Sequence, residues 1–154
     1  MVGVAPAYDV GVTKTGTSLL FAGATVVKCS VVVVEAWALW CKTCMHVNLP
    51  HLARLHQRLA AKDLVVVTVA LPGMDRPAGE VRDAVTGFLA RSKLTFVNLL
   101  LDEPDELWQD KLHIERGLPH TFVFDRQGRW TLLDADELGR DPGRLDRLVE
   151  ELLR

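Results

Sequence analysis

Val31-Val32-Val33-Val34-Glu35-Ala36-Trp37-Ala38-Leu39-Trp40-Cys41-Lys42-Thr43-Cys44 is a β-branched run that ends in two thiols three positions apart. Helix-like periodicity follows it. Thiols at this spacing can close a disulfide only if the backbone turns tightly, and the first turn of a helix supplies that turn. The same helix start aims partial positive charge at the first sulfur, so that its proton leaves easily. The thiolate is the nucleophile in disulfide exchange, so a Cys-x-x-Cys at a strand-to-helix junction reads as a redox site. The plainer reading is half of a zinc site. That would need a second ligand pair at similar spacing, and Cys29 is the one other cysteine.

At 154 residues, 49% of them hydrophobic, the chain is long enough for one domain with a substantial core and too short for two. A formal net charge of −2 gives no electrostatic case for nucleic acid or for an anionic membrane. The partners expected are proteins. With only three cysteines, stability must come from apolar packing rather than from a disulfide framework. No stretch reaches the roughly 20 apolar residues of a membrane span, and no basic and apolar leader opens the chain.

Outward from the cysteines, segment 8–20 reads as a small N-terminal hairpin with a turn at Thr15-Gly16. The dense β-branching of 26–37 is that of a parallel strand covered on both faces. Met45, Leu49, Leu52, Leu55 and Leu59 recur at helical spacing, with Pro50 inside as a kink. A second buried strand is expected over 64–71. An amphipathic helix follows, carried by Val81, Ala84, Val85, Phe88 and Leu89. Strand character returns at 95–101, a short helix is expected over 105–112, and two strands flank Arg126-Gln127-Gly128. A last helix should open with Asp141 as N-cap and Pro142 at its first position, burying Leu145, Leu148, Val149 and Leu152. This alternation describes a central mixed β-sheet with helices on both faces. The cysteines stand at the C-terminal end of a central strand, where α/β sheets collect their chemistry.

Glu35 is an acid inside an apolar run, and a buried carboxyl without a partner escapes the cost by holding its proton near neutrality. Such a group suits proton transfer. The alternative is a side chain that points outward at a strand edge.

The order and spacing of these features resemble the thioredoxin superfamily, and within it the TlpA/ResA-like branch of thiol-disulfide oxidoreductases. The residues that carry the likeness are Ala5-Pro6, the valine run into Trp37-Ala38-Leu39-Trp40-Cys41, Pro50, and Gly117-Leu118-Pro119-His120-Thr121-Phe122-Val123-Phe124-Asp125 followed by Gly128. The stretch between Leu71 and Thr95 matches the branch's extra helical insertion. The resemblance implies one thioredoxin-like α/β domain over 1–154. It implies that Cys41 is the attacking thiol, Cys44 the resolving thiol, and Glu35 the buried acid that serves it. Lys42 and Thr43 would tune the thiolate, although Lys42 can equally be a plain solvated side chain. Pro119 would be a cis-proline against the cysteine pair, Leu118 would offer backbone hydrogen bonds to a client, and His120, where relatives more often carry Thr or Ser, would border the site. Trp40 would cover the active-site surface with Trp37 beneath it; both could also be core. Trp108 reads as core and Cys29 as an inert buried thiol.

The implied partners are protein dithiol or disulfide substrates and a redox partner protein, engaged by a monomer without a bound cofactor. Cytochrome c maturation and envelope redox homeostasis are the branch's usual settings, with a periplasmic or extracytoplasmic location. A membrane would enter only through an N-terminal anchor that this chain lacks, and a cytoplasmic location is also compatible. The rival reading is a copper or zinc metallochaperone using Cys41, Cys44, His46 and His51, but residues 44, 46 and 51 do not share one helical face.

Overall fold

The computed structural model describes residues 10–11, 20–21, 24–25, 30–72, 78–101 and 117–154. The expectations for Ala5, Pro6, the Thr15-Gly16 turn, Cys29, the helix over 105–112 and Trp108 lie outside them. Near the N-terminus β1 (Val10–Gly11), β2 (Leu20–Phe21) and β3 (Ala24–Thr25) form an antiparallel three-stranded sheet, one strand more than the hairpin read from the sequence.

The main sheet has five strands in the order β6-β5-β4-β7-β8. They are β4 (Val31–Trp37), β5 (Leu64–Ala70), β6 (Val97–Leu100), β7 (His120–Phe124) and β8 (Trp130–Asp134). Strands β4, β5 and β6 run parallel, whereas β7 and β8 join antiparallel, so the sheet is mixed. Every residue of β4 is buried, which is why its sequence does not alternate.

The pleat sorts β4 into two cores. Val31, Val33 and Trp37 join one apolar cluster with Cys41 and Cys44. That cluster is filled by Leu49, Leu52, Leu55 and Leu59 of α1 (Leu49–Leu59), by Val81 and Val85 of α2 (Ala78–Ser92) and by Leu145 and Val149 of α4 (Arg144–Leu152). Val32, Val34 and Ala36 face the other way into a second cluster with Val67, Val69, Leu99 and Phe122. Each fully buried Leu or Val contributes about 1.5–3 kcal/mol, so together these clusters dominate the fold's stability.

One helix expectation holds and another is corrected. Helical winding runs unbroken from Lys42 to Leu59, with Pro50 inside it. The irregularity is taken up just upstream, where Cys44–Asn48 winds as a π-turn and the Leu49 N–H bonds the Cys44 carbonyl. Pro50 has no N–H to return to His46, so a wider turn costs little there. The last helix begins at Arg144 with Gly143 as its cap, not at Asp141. Asp141 instead ends a helix that the sequence reading missed, α3 (Ala135–Arg140). Asp134 caps α3 by accepting from the Glu137 N–H at 2.8 Å. The Asp134-x-x-Glu137 spacing was its available signal.

Candidate active site

At the end of β4 the chain turns through Ala38, Leu39 and Trp40, and the Cys41 N–H bonds the Ala38 carbonyl at 3.0 Å. Cys41 and Cys44 are joined in a disulfide, with Cα atoms 5.3 Å apart. The Cys44 N–H points at Cys41 Sγ, 3.2 Å away, which aims an unpaired helix-start donor at the first sulfur. On reduction this donor favours the thiolate at Cys41. In the disulfide state Cys41 keeps 6% of its surface exposed and Cys44 none, so Cys41 is the less shielded of the two residues. Lys42 and Thr43 between them are exposed.

Glu35 lies on the same face of β4 as Val33 and Trp37, fully buried. Its register partners are Thr68 in β5 and Thr121 in β7, and Thr68 in turn pairs with Asn98 in β6. A polar row therefore crosses an otherwise apolar sheet. Thr121 donates from Oγ1 to Glu35 Oε2 at 3.1 Å, and Asn48 reaches the same oxygen from the π-turn at 3.4 Å. Thr68 donates away from the acid, to Asn98 Oδ1 at 2.7 Å. Glu35 Oε1 is buried with no hydrogen-bond partner. Burial pushes the carboxyl up to about 8, against the opposing pull of the Thr121 and Asn48 hydrogen bonds. An acid so tuned can hold or release a proton near neutral pH. Asn48 stands one helical turn beyond Cys44, so the element that carries the second thiol also carries a ligand of the acid.

The Leu118-Pro119 peptide bond is cis, entered from Gly117 at φ 86°. Because Ala36 pairs with His120, Pro119 stands one residue further along, at the level of Trp37 where the cysteine loop leaves β4. Leu118 packs against both apolar clusters, including the one that holds the two cysteines. Trp40 is 52% exposed beside Cys41, whereas Trp37 is fully buried against Phe88, with ring centroids 5.3 Å apart.

His120 is placed differently from the other site candidates. Its partners Ala36 and Asp134 put it on the face opposite Glu35, 97% buried, near Phe122 and with Nδ1 unpartnered. It follows the cis-proline in sequence but turns away from the face that carries the disulfide, because successive residues of a strand alternate. The residue that turns toward the acid is Thr121. Sequence reasoning missed Thr121 and Asn48; the available signal was a hydroxyl and an amide interrupting apolar segments.

The four residues of the metal reading do not assemble. His51 Nε2 pairs with Asp146 of α4 at 2.8 Å, and His46 is exposed. Among the described residues, no three His, Cys, Asp or Glu side chains come together as a metal-binding group.

A scan against protein-family models and a search of curated proteins both find no match. Solved structures do match. A Chlorobium tepidum protein described as thiol:disulfide interchange protein DsbE is 25% identical, with a TM-score of 0.62 and coverage of 82% of each chain. A thiol-disulfide isomerase of Corynebacterium glutamicum is 21% identical, with a TM-score of 0.67 over 97% of this chain and 96% of that one. The thioredoxin domain of a thiol-disulfide oxidoreductase of Bacteroides vulgatus, 21% identical, matches with a TM-score of 0.57 over 79% of this chain and 81% of its own. The last two speak to the fold alone.

Proposed function

We propose, from the premise that the chain belongs to the thioredoxin superfamily, that it is a thiol-disulfide oxidoreductase acting on protein dithiols and disulfides. The single observation that carries this is the Cys41–Cys44 disulfide at a helix start, with the Cys44 amide aimed at Cys41 Sγ. Similarity to an interchange protein over most of both chains supports it.

In the reduced protein the Cys41 thiolate attacks one sulfur of a client disulfide. That bond breaks, and the client's other sulfur leaves as a thiolate. Cys44 then gives up its proton and attacks Cys41 Sγ, expelling the second client sulfur. The client gains two electrons, and the protein ends as the disulfide. Glu35 in its ionised form takes the Cys44 proton, and in the reverse direction its acid form returns it; the Asn48 contact, one turn from Cys44, supports this role. Trp40, Leu118 and Pro119 border the place where the client backbone lies, and Lys42 and Thr43 tune the thiolate. The whole chain acts as one domain and as a monomer, with a separate protein restoring its starting redox state. Resemblance to the TlpA/ResA-like branch supports an extracytoplasmic site of action, in cytochrome c maturation or envelope redox homeostasis. Among the described residues, no helix is long and apolar enough to cross a membrane.

Trapping tests the assignment. Cys44→Ala should accumulate mixed disulfides with client proteins, while Cys41→Ala should not, because only the first sulfur is reachable. Equal trapping by both variants defeats the division of labour between the two thiols.

A further inference from the structure

From Ala36 to Lys62 the chain contains no Asp or Glu, although acids outnumber Lys and Arg over the whole protein. The same stretch holds Lys42, Arg54, Arg58 and Lys62 together with His46, His51 and His56. Part of this charge is spent inside the fold. Arg58 bonds Asp146 at 2.9 Å and Glu150 at 3.0 Å, and His51 bonds Asp146, which ties α1 to α4. Lys42, His46 and Arg54 are exposed and make no ion pair among the described residues. Lys42 and His46 stand four residues apart and Arg54 eight further on, all on the helical run that starts at the cysteines. Beside them stand two exposed apolar side chains, Trp40 at 52% and Val47 at 58%. Exposure of large apolar groups together with unpaired cations, on the segment that carries the redox sulfur, is the composition of a protein-binding surface with a preferred sign of charge.

We propose that Trp40, Lys42, His46, Val47 and Arg54 form a docking strip for an acidic segment of the client protein next to its reactive cysteine. The proposal rests on the oxidoreductase reading above and names the class of client it selects. Trp40 and Val47 take the apolar contact, Lys42 and Arg54 pair with client carboxylates, and His46 adds a ring hydrogen bond. From Lys42 to Arg54 is about 18 Å at 1.5 Å per residue. An extended client segment covers that in about six residues, so the acids lie within that distance of the client cysteine. The Debye length is about 8 Å at physiological ionic strength, so only carboxylates set directly against the strip contribute there.

The test uses two synthetic peptides of equal length, each with one internal disulfide, one flanked by glutamates and the other by lysines. Rates of exchange with the reduced intact protein are measured at about 20 mM and about 300 mM salt, with bis(2-hydroxyethyl) disulfide as an uncharged control. The acidic peptide should react about tenfold faster at low salt, and the advantage should shrink to about twofold or less at high salt. Arg54→Glu should cut the acidic peptide's rate by about threefold and leave the rate with the uncharged disulfide unchanged. Val47→Ser should slow both peptides alike. Equal rates for the two peptides at low salt, or faster reaction of the basic one, overturn the docking strip while leaving the redox reading intact. A reduced protein that does not exchange even with bis(2-hydroxyethyl) disulfide overturns the redox reading, and the strip with it.

Discussion

Glu35 and His120 are buried to nearly the same depth in adjacent rows of one sheet, yet they face opposite cores. Glu35 shares its row with Thr68, Asn98 and Thr121 and looks into the cluster that holds both cysteines. The row of His120 runs through Ala36, Val69 and Leu99 in the core on the far side. Depth of burial therefore does not bring a polar residue to the cysteines; the face does. The acid is also incompletely served. Both of its donors reach Oε2, which leaves Oε1 bare, and a bare buried oxygen is a poor place for negative charge. That imbalance explains why burial wins over two hydrogen bonds.

The largest effect expected from this contrast is on stability as a function of pH. Between about 4.5 and about 8 the folded protein keeps the Glu35 proton and the unfolded chain has lost it. Folding then takes up a proton, so its contribution declines as pH rises through that window and levels off above it. The full swing is on the order of 5 kcal/mol. Chemical denaturation of oxidised wild type and Glu35→Gln, compared from pH 4 to pH 9, isolates it: the variant should gain relative stability with rising pH. Parallel curves for the two proteins break the comparison at its first point.

The next effect lies on the opposite face. Phe122 touches the rings of His120 and Trp130, with centroids 6.5 Å and 5.7 Å away. Phe122→Ala should cost about 3–5 kcal/mol through the cavity it leaves. Its exchange rate per folded molecule should match wild type, since Phe122 lies in the cluster that does not hold the cysteines. A slowed rate in a variant shown to be folded would erase the functional distinction between the faces.

The smallest effect sharpens the account of the acid itself. Thr121→Val preserves shape but removes one donor to Oε2, so it should cost about 1 kcal/mol at alkaline pH. The Glu35 titration should move further up, because that hydrogen bond holds it down. Carboxyl-selective infrared or NMR titration reads the shift directly. An unmoved titration would transfer the tuning to Asn48.

The five strands of the main sheet and the three longer helices were legible because they rest on local periodicity: the unbroken valines of β4, the leucines of α1 and the stripe of α4 each report burial within one segment. The redox motif was legible for the same reason, since a three-residue spacing at a strand end is a covalent and local fact. Helix ends were read less well. Asp141 looked like a cap, but the tight turn through Pro142 and Gly143 delays α4, while Asp134 captures the capping role for α3.

What the sequence determined by itself was a buried β-strand delivering two thiols to the start of a helix, with an acid six residues earlier. Which groups meet that acid was decided by the tertiary structure alone, because Thr121 is 86 residues away and Asn48 is 13. So was the side taken by His120. A strand's register with its neighbour settles in one step which of two consecutive residues faces the chemistry, and register exists only once the sheet has formed.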